Sequence, residues 1–229
     1  MAMAVKKIQP LTPRQRRETA KQNLRGEILA ASREIIAKDG YAALTMRKLA
    51  ERIGYSPAAL YLHFRSREEI AQEVSRDGYA ALLAELTAAT EPHRKDAAAR
   101  LRASARAYVE FGLKNPQTYA LIFMEDPAYL SAAYAKHSED DPATRAFELL
   151  VEIAGGLIAA GLKPPKTGKP TRAVTPVELA ETLWATLHGV VSLKLTCPAF
   201  PTSPAETLTH VAMETLLLGL GAAGAKKMR

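Results

Sequence analysis

The chain has 229 residues, 48% of them hydrophobic and 24% charged. That balance belongs to a globular protein with one large or two modest domains, not to a disordered chain. Its net charge of +7 is concentrated, with fourteen Lys and Arg against seven Asp and Glu in residues 1–70 and seventeen against seventeen in residues 71–229. A single cysteine, Cys197, excludes a disulfide scaffold and suits a reducing compartment. No uninterrupted apolar run approaches the ~20 residues of a membrane span. The sequence therefore reads as a soluble, cytoplasmic protein whose basic first third meets a polyanion.

Aromatics make up only 6% of residues, and apolar positions recur at spacings of three and four, so the fold class is expected to be all-α. Residues 1–22, with Pro10, Pro13 and the cluster RQRR at 14–17, read as a flexible basic arm that turns helical only near its end. A first helix is expected over 23–38, stopped by Asp39-Gly40. Thr45 can cap a second over 46–52, and Gly54-Tyr55 makes a tight turn into a third beginning at Ser56-Pro57. Ser66-Arg67-Glu68-Glu69 has the form of a capping box that opens a long helix to about residue 87. Further helices are expected near 96–114, 117–124, 142–160, 176–195 and 204–220. KPPKTGKP at 163–170 is read as an exposed loop, and CPAFPTSP at 197–204 as a turn. This order divides the chain into the arm, a domain over 23–70 and a second domain over 71–229.

Helix, short helix, tight turn, short helix on the only net-positive part of the chain is a helix-turn-helix arrangement. The stretch GYSPAALYLHF then has a use. Ser56, Pro57, Ala58 and Ala59 leave the start of the recognition helix bare, so its backbone can approach base edges in the major groove. Leu60 and Phe64 are expected to face the core. Tyr61 and His63 point elsewhere and can bond phosphates.

At these residues TMRKLAERIGYSPAALYLHFRSREEI resembles the DNA-binding segment of TetR-family transcriptional regulators, over roughly 24–75. The resemblance implies phosphate contacts from Thr45, Tyr61, His63 and Arg67, the last standing where the family usually has Lys. It places Tyr55, Ser56, Pro57 and Ala58 nearest the bases. Because Ala58 and Ala59 carry no donors, base readout would lean on Tyr55, Arg47, apolar contacts and DNA shape. Trp184-Ala-Thr-Leu-His188-Gly189 is similar to the WHG motif of one class of TetR C-terminal domain.

The resemblance implies a homodimeric repressor on a palindromic double-stranded DNA operator, associated with the nucleoid and released by a small-molecule effector, with no cofactor and no metal. Effector binding would tilt the long helix and move the recognition helices off groove spacing. Candidate effector contacts are Tyr108, Phe111, Phe123, Met124, Tyr129, Trp184 and His188, any of which could equally be core. Dimerisation is expected through the helices near 176–195 and 204–220. Their apolar positions there are Leu179, Leu183, Leu187 and Val190, and Leu208, Val211, Thr215, Leu216 and Gly219. Two alternatives stand beside this reading. A constitutive architectural DNA-binding protein would need no effector, and a helical enzyme has no H-x-x-x-H, C-x-x-C or Gly-rich phosphate loop to rest on.

Overall fold

A computed structural model describes residues 12–125, 138, 140–161, 166–167 and 172–221. The chain divides into two compact units, residues 1–74 and 75–229.

The first unit is built from α1 (Pro13–Asp39), a single 3₁₀ turn, α2 (Met46–Ile53), α3 (Pro57–Tyr61) and the opening of α4 (Arg67–Thr90). Helix α1 starts at Pro13, not near residue 23, so residues 13–22 are helix and not a flexible arm. The cause is a local signal. The Thr12 hydroxyl accepts the Gln15 N–H at 3.3 Å, the Gln15 side chain accepts the Thr12 N–H at 2.9 Å, and Pro13 supplies a ready-made first turn. The expected arm's residues 1–11 lie outside the described residues.

Helices α2 and α3 begin where short polar side chains cap them. Thr45 accepts the Lys48 N–H at 3.1 Å and Ser56 accepts the Ala59 N–H at 3.2 Å. Gly54, at φ 75° and ψ 28°, takes the left-handed conformation that lets Tyr55 N–H bond back to Ala50 O. Helix α4 departs slightly from the expected box. Ser66 accepts the Glu69 N–H, but the Glu69 carboxylate reaches past it to the Arg65 N–H at 2.6 Å. Ile28, Ile35, Ile36, Leu44, Leu49, Leu60, Phe64 and Ile70 are all buried and form the core of this unit. Each contributes roughly 1.5–3 kcal/mol of burial.

The second unit contains the rest of α4, then α5 (Ala97–Lys114), α6 (Pro116–Phe123), α7 (Pro142–Ala159), α8 (Pro176–Thr196) and α9 (Ala205–Gly219). Asp96 caps α5 and Asp141 caps α7. Thr175 and Glu178 form a full capping box on α8. The only extended pairing among the described residues is Lys166–Thr167 against Arg172–Ala173, antiparallel, with Lys166 opposite Ala173. The architecture is all-α, and most of the expected 163–170 loop lies outside the described residues.

Helix α8 packs against α5, α7 and α9. For that reason Leu179, Leu183, Leu187 and Val190, expected to face a partner chain, are instead buried inside this chain's own core. Helices α5 and α8 approach closely where α5 carries Gly112, because a Cβ there would lie 2.6 Å from Val191 Cγ1. No described helix is long and apolar enough to cross a membrane.

Candidate nucleic-acid interface and ligand pocket

The corner between α2 and α3 presents its polar and small residues outward. Thr45, Arg47, Tyr55, Ser56, Pro57, Ala58 and Tyr61 are all exposed, while Leu49, Ala50, Leu60 and Phe64 hold the corner from beneath. Arg47 extends into solvent and makes only a loose i,i+4 pair with Glu51 at 3.0 Å, an interaction worth a few tenths of a kcal/mol that a phosphate or base could displace. Two further residues of the corner went unnoticed in the sequence. Leu62, at the end of α3, is 80% exposed.

The other is Arg25. It donates to His63 O at 3.3 Å, pairs with Glu73 at 2.9 Å, and lies 4.2 Å over the Phe64 ring. These contacts tie α1, the end of α3 and α4 together. Nothing in the spacing around Leu24 and Ile28 marks Arg25 for this role, because its partners are dozens of residues away.

His63 is half-buried. Partial burial, with Lys21 and Arg25 nearby, pushes its pKa below the ordinary 6.5, so the free protein holds it neutral near pH 7. Arg67 is more constrained than a free phosphate ligand. It pairs with Glu68 at 2.9 Å, donates to Leu44 O at 3.4 Å and stacks 5.0 Å from the Tyr41 ring.

In the second unit a cavity of about 140 Å³ opens among α4, α5, α6, α7 and α8. Tyr108, Phe123 and Trp184 line it, together with Tyr79, Leu82 and others. Three other candidates do not. Phe111 is buried in the core, Met124 packs on the core's edge, and His188 sits behind Tyr119. Tyr129 lies outside the described residues.

A hydrogen-bonded chain runs away from the cavity wall. The Trp184 indole N–H donates to Tyr108 Oη at 2.9 Å, the Tyr108 and Tyr119 hydroxyls share a bond of 2.9 Å, and Tyr119 Oη lies 2.7 Å from His188 Nδ1. Because indole can only donate, the chain runs consistently toward His188 when Nδ1 accepts. Burial favours this state by pushing the His188 pKa down and the Tyr119 pKa well up. Phe123 sits at the centre of the aromatic cluster, 4.8 Å from Tyr119 and 5.8 Å from Trp184 between ring centroids. The cavity residues missed in the sequence, such as Leu86, Leu149 and Leu150, carry no signal there because each looks like ordinary helical core.

A capped helix-turn-helix with a bare, outward recognition helix, followed by a helical unit with an apolar cavity, defines a helical DNA-binding regulator. Residues 28–74 match the bacterial regulatory proteins of the tetR family, and residues 101–216 match the tetracyclin repressor-like C-terminal domain. The chain belongs to the TetR family. Its family places it among DNA-binding transcriptional regulators and not among enzymes.

Three similar proteins illustrate the range. The HTH-type transcriptional activator FasR of Mycolicibacterium smegmatis is 30% identical over 60% of this chain and 66% of its own length. The nucleoid occlusion factor SlmA of Citrobacter koseri is 32% identical over 48% of this chain and 59% of its own length. A structure of a protein of unknown function from Rhodococcus sp. RHA1 superposes with a TM-score of 0.69 at 28% identity, covering 86% of this chain and 94% of that one. The match to the first two thus spans less than two thirds of either.

Proposed function

We propose that this regulator is a homodimeric, ligand-responsive repressor, acting in the cytoplasm on the nucleoid, that a small-molecule effector releases from a palindromic operator. The observation that carries the reading is helix α4. Ile70, Ala71 and Val74 are buried in the DNA-binding unit, while Tyr79, Leu82 and Leu86 of the same unbroken helix line the cavity. A ligand that fits the cavity better in the non-binding conformation shifts the population toward it, and α4 carries that shift to the recognition helix.

On the operator, Thr45, Tyr61 and His63 meet phosphates, and Arg67 joins them by exchanging Glu68 for a phosphate oxygen. Tyr55, Ser56, Pro57, Ala58 and Arg47 face the bases. No step requires a cofactor or a metal. The sign of regulation follows from where the operator lies relative to the promoter: an operator overlapping it gives repression, while the similarity to an activator shows that related sequences also serve the opposite sign.

Selection of bound fragments from the source genome tests the reading, followed by operator affinity measured with and without a cavity ligand. Palindromic fragments and a loss of affinity with ligand are expected. The similarity to a nucleoid occlusion factor supports a second reading, constitutive DNA binding, which a ligand that fills the cavity and leaves operator affinity unchanged would favour.

A further inference from the structure

The chemistry of the cavity wall restricts what can enter it. None of its described lining side chains carries a charge; they are Leu, Ile, Ala, aromatic residues and Ser104. An ion placed there would lose its hydration with no counter-charge from these side chains.

The polar groups that do reach the wall have their hydrogens engaged within the protein. Ser104 donates to Leu101 O at 2.8 Å, Tyr79 to Ile122 O at 3.1 Å and Trp184 to Tyr108 Oη at 2.9 Å. Tyr108 in turn is bonded to Tyr119 at 2.9 Å. A ligand that offers only acceptors, a carboxylate above all, therefore finds no donor among the described lining side chains unless one of these bonds breaks.

Size restricts it further. At about 140 Å³, the space matches the ~150 Å³ apolar cavity that stays dry and takes benzene in another protein. Phe123 is tilted 45° to Tyr108 and 56° to Trp184 at about 6 Å, so a flat ring lying against this cluster meets both ring edges and ring faces.

We infer that the effector is an uncharged, hydrocarbon-rich molecule built on a single aromatic ring. This rests on the ligand-responsive reading above and names the ligand class for it. The full-length protein carries its own reporter, because Trp184 is the only tryptophan and lines the cavity. The experiment titrates it at neutral pH with toluene and with benzoate, which share the ring and differ in charge.

Toluene is expected to change Trp184 emission saturably and to raise Tm, with benzoate at least ~50-fold weaker. Ala146→Phe fills the cavity and should abolish the toluene response. Leu150→Phe, also on α7, serves as the plug if A146F loses its cooperative melt. The inference is overturned if toluene gives no saturable response, if benzoate binds as tightly, or if toluene still binds in a folded plug variant.

Operator binding followed in the same samples separates this inference from the reading beneath it. Toluene that saturates the cavity and leaves the operator bound upholds the ligand class and sinks ligand-driven release. Benzoate that binds and releases the operator does the reverse.

Discussion

His188 and His63 are both held neutral by burial, yet their charge changes should be read out in different ways. His188 has its pKa pushed below 6.5 by desolvation, so the unfolded chain takes up a proton at a higher pH than the folded one. Its stabilising contribution is therefore complete above about pH 6.5 and is lost as pH falls from there through the depressed folded value. His188→Asn keeps an acceptor for Tyr119 and removes the titration, so the fall in Tm between pH 7 and pH 5 should be shallower in the variant. At pH 7 the variant should be about 1 kcal/mol less stable from lost ring contacts with Phe123 and Trp184. A Tm profile parallel to that of the wild type would show that His188 protonation is not coupled to folding. For His63 the coupling runs through DNA. A phosphate beside the ring opposes the burial and the nearby Lys21 and Arg25 that depress its pKa, so operator binding takes up a proton. Affinity should rise as pH falls from about 7.5 to 5.5, and His63→Gln should flatten that dependence; an unchanged pH profile in the variant takes His63 off the phosphate.

At the level of helices, starts and stops were legible because capping chemistry is local. Thr45 and Ser56 each announce a helix within four residues, and each does cap one. The start of α1 is equally local, in Thr12-Pro13-Arg14-Gln15, but it is overlaid by the RQRR charges, which equally suit a solvated arm. Which side of a helix faces the core was not legible where the helix is apolar all round. On α8, Leu183 is buried and Leu193 exposed, a distinction made by how α5, α7 and α9 pack around it, which the apolar spacing within α8 does not encode. The cavity was legible only through its aromatics, since five helices contribute to it. Helix spacing itself is testable at Gly112. A Cβ there meets Val191 Cγ1 at 2.6 Å and Tyr119 Cδ2 at 2.9 Å, so Gly112→Ala should destabilise by ~1–3 kcal/mol despite alanine's better helix propensity. Val191→Ala in the same chain should recover part of that loss. Urea melts decide it, and a G112A variant as stable as wild type would mean that α5 can move away from α8 at little cost.

At the scale of the whole molecule, helix α9 keeps an apolar stripe that its own chain leaves exposed. Val211 is 55% and Leu218 63% exposed, with Thr215 and Gly219 also exposed between and beside them, a spacing of three and four that makes one stripe along the helix. Leu193 and Val177 are the exposed large apolar residues of α8. The proposed twofold partner would bury the α9 stripe against its own copy, while Leu183 and Leu187 remain inside each chain. The double variant Val211→Glu with Leu218→Glu should then be monomeric by light scattering at micromolar concentration and keep a cooperative melt. Leu183→Ala should lose ~2–5 kcal/mol of stability and remain dimeric, because its side chain is core. Operator affinity separates the consequences. A monomer engages one half-site at a time, so the double variant should bind a palindromic operator about 10²–10⁴-fold more weakly, while its affinity for an isolated half-site is unchanged. Half-sites should lie one DNA turn apart, about 34 Å, or a multiple of it. A double variant that stays dimeric removes this stripe from the seam, and a wild-type chain that is monomeric at micromolar concentration removes the palindromic operator with it.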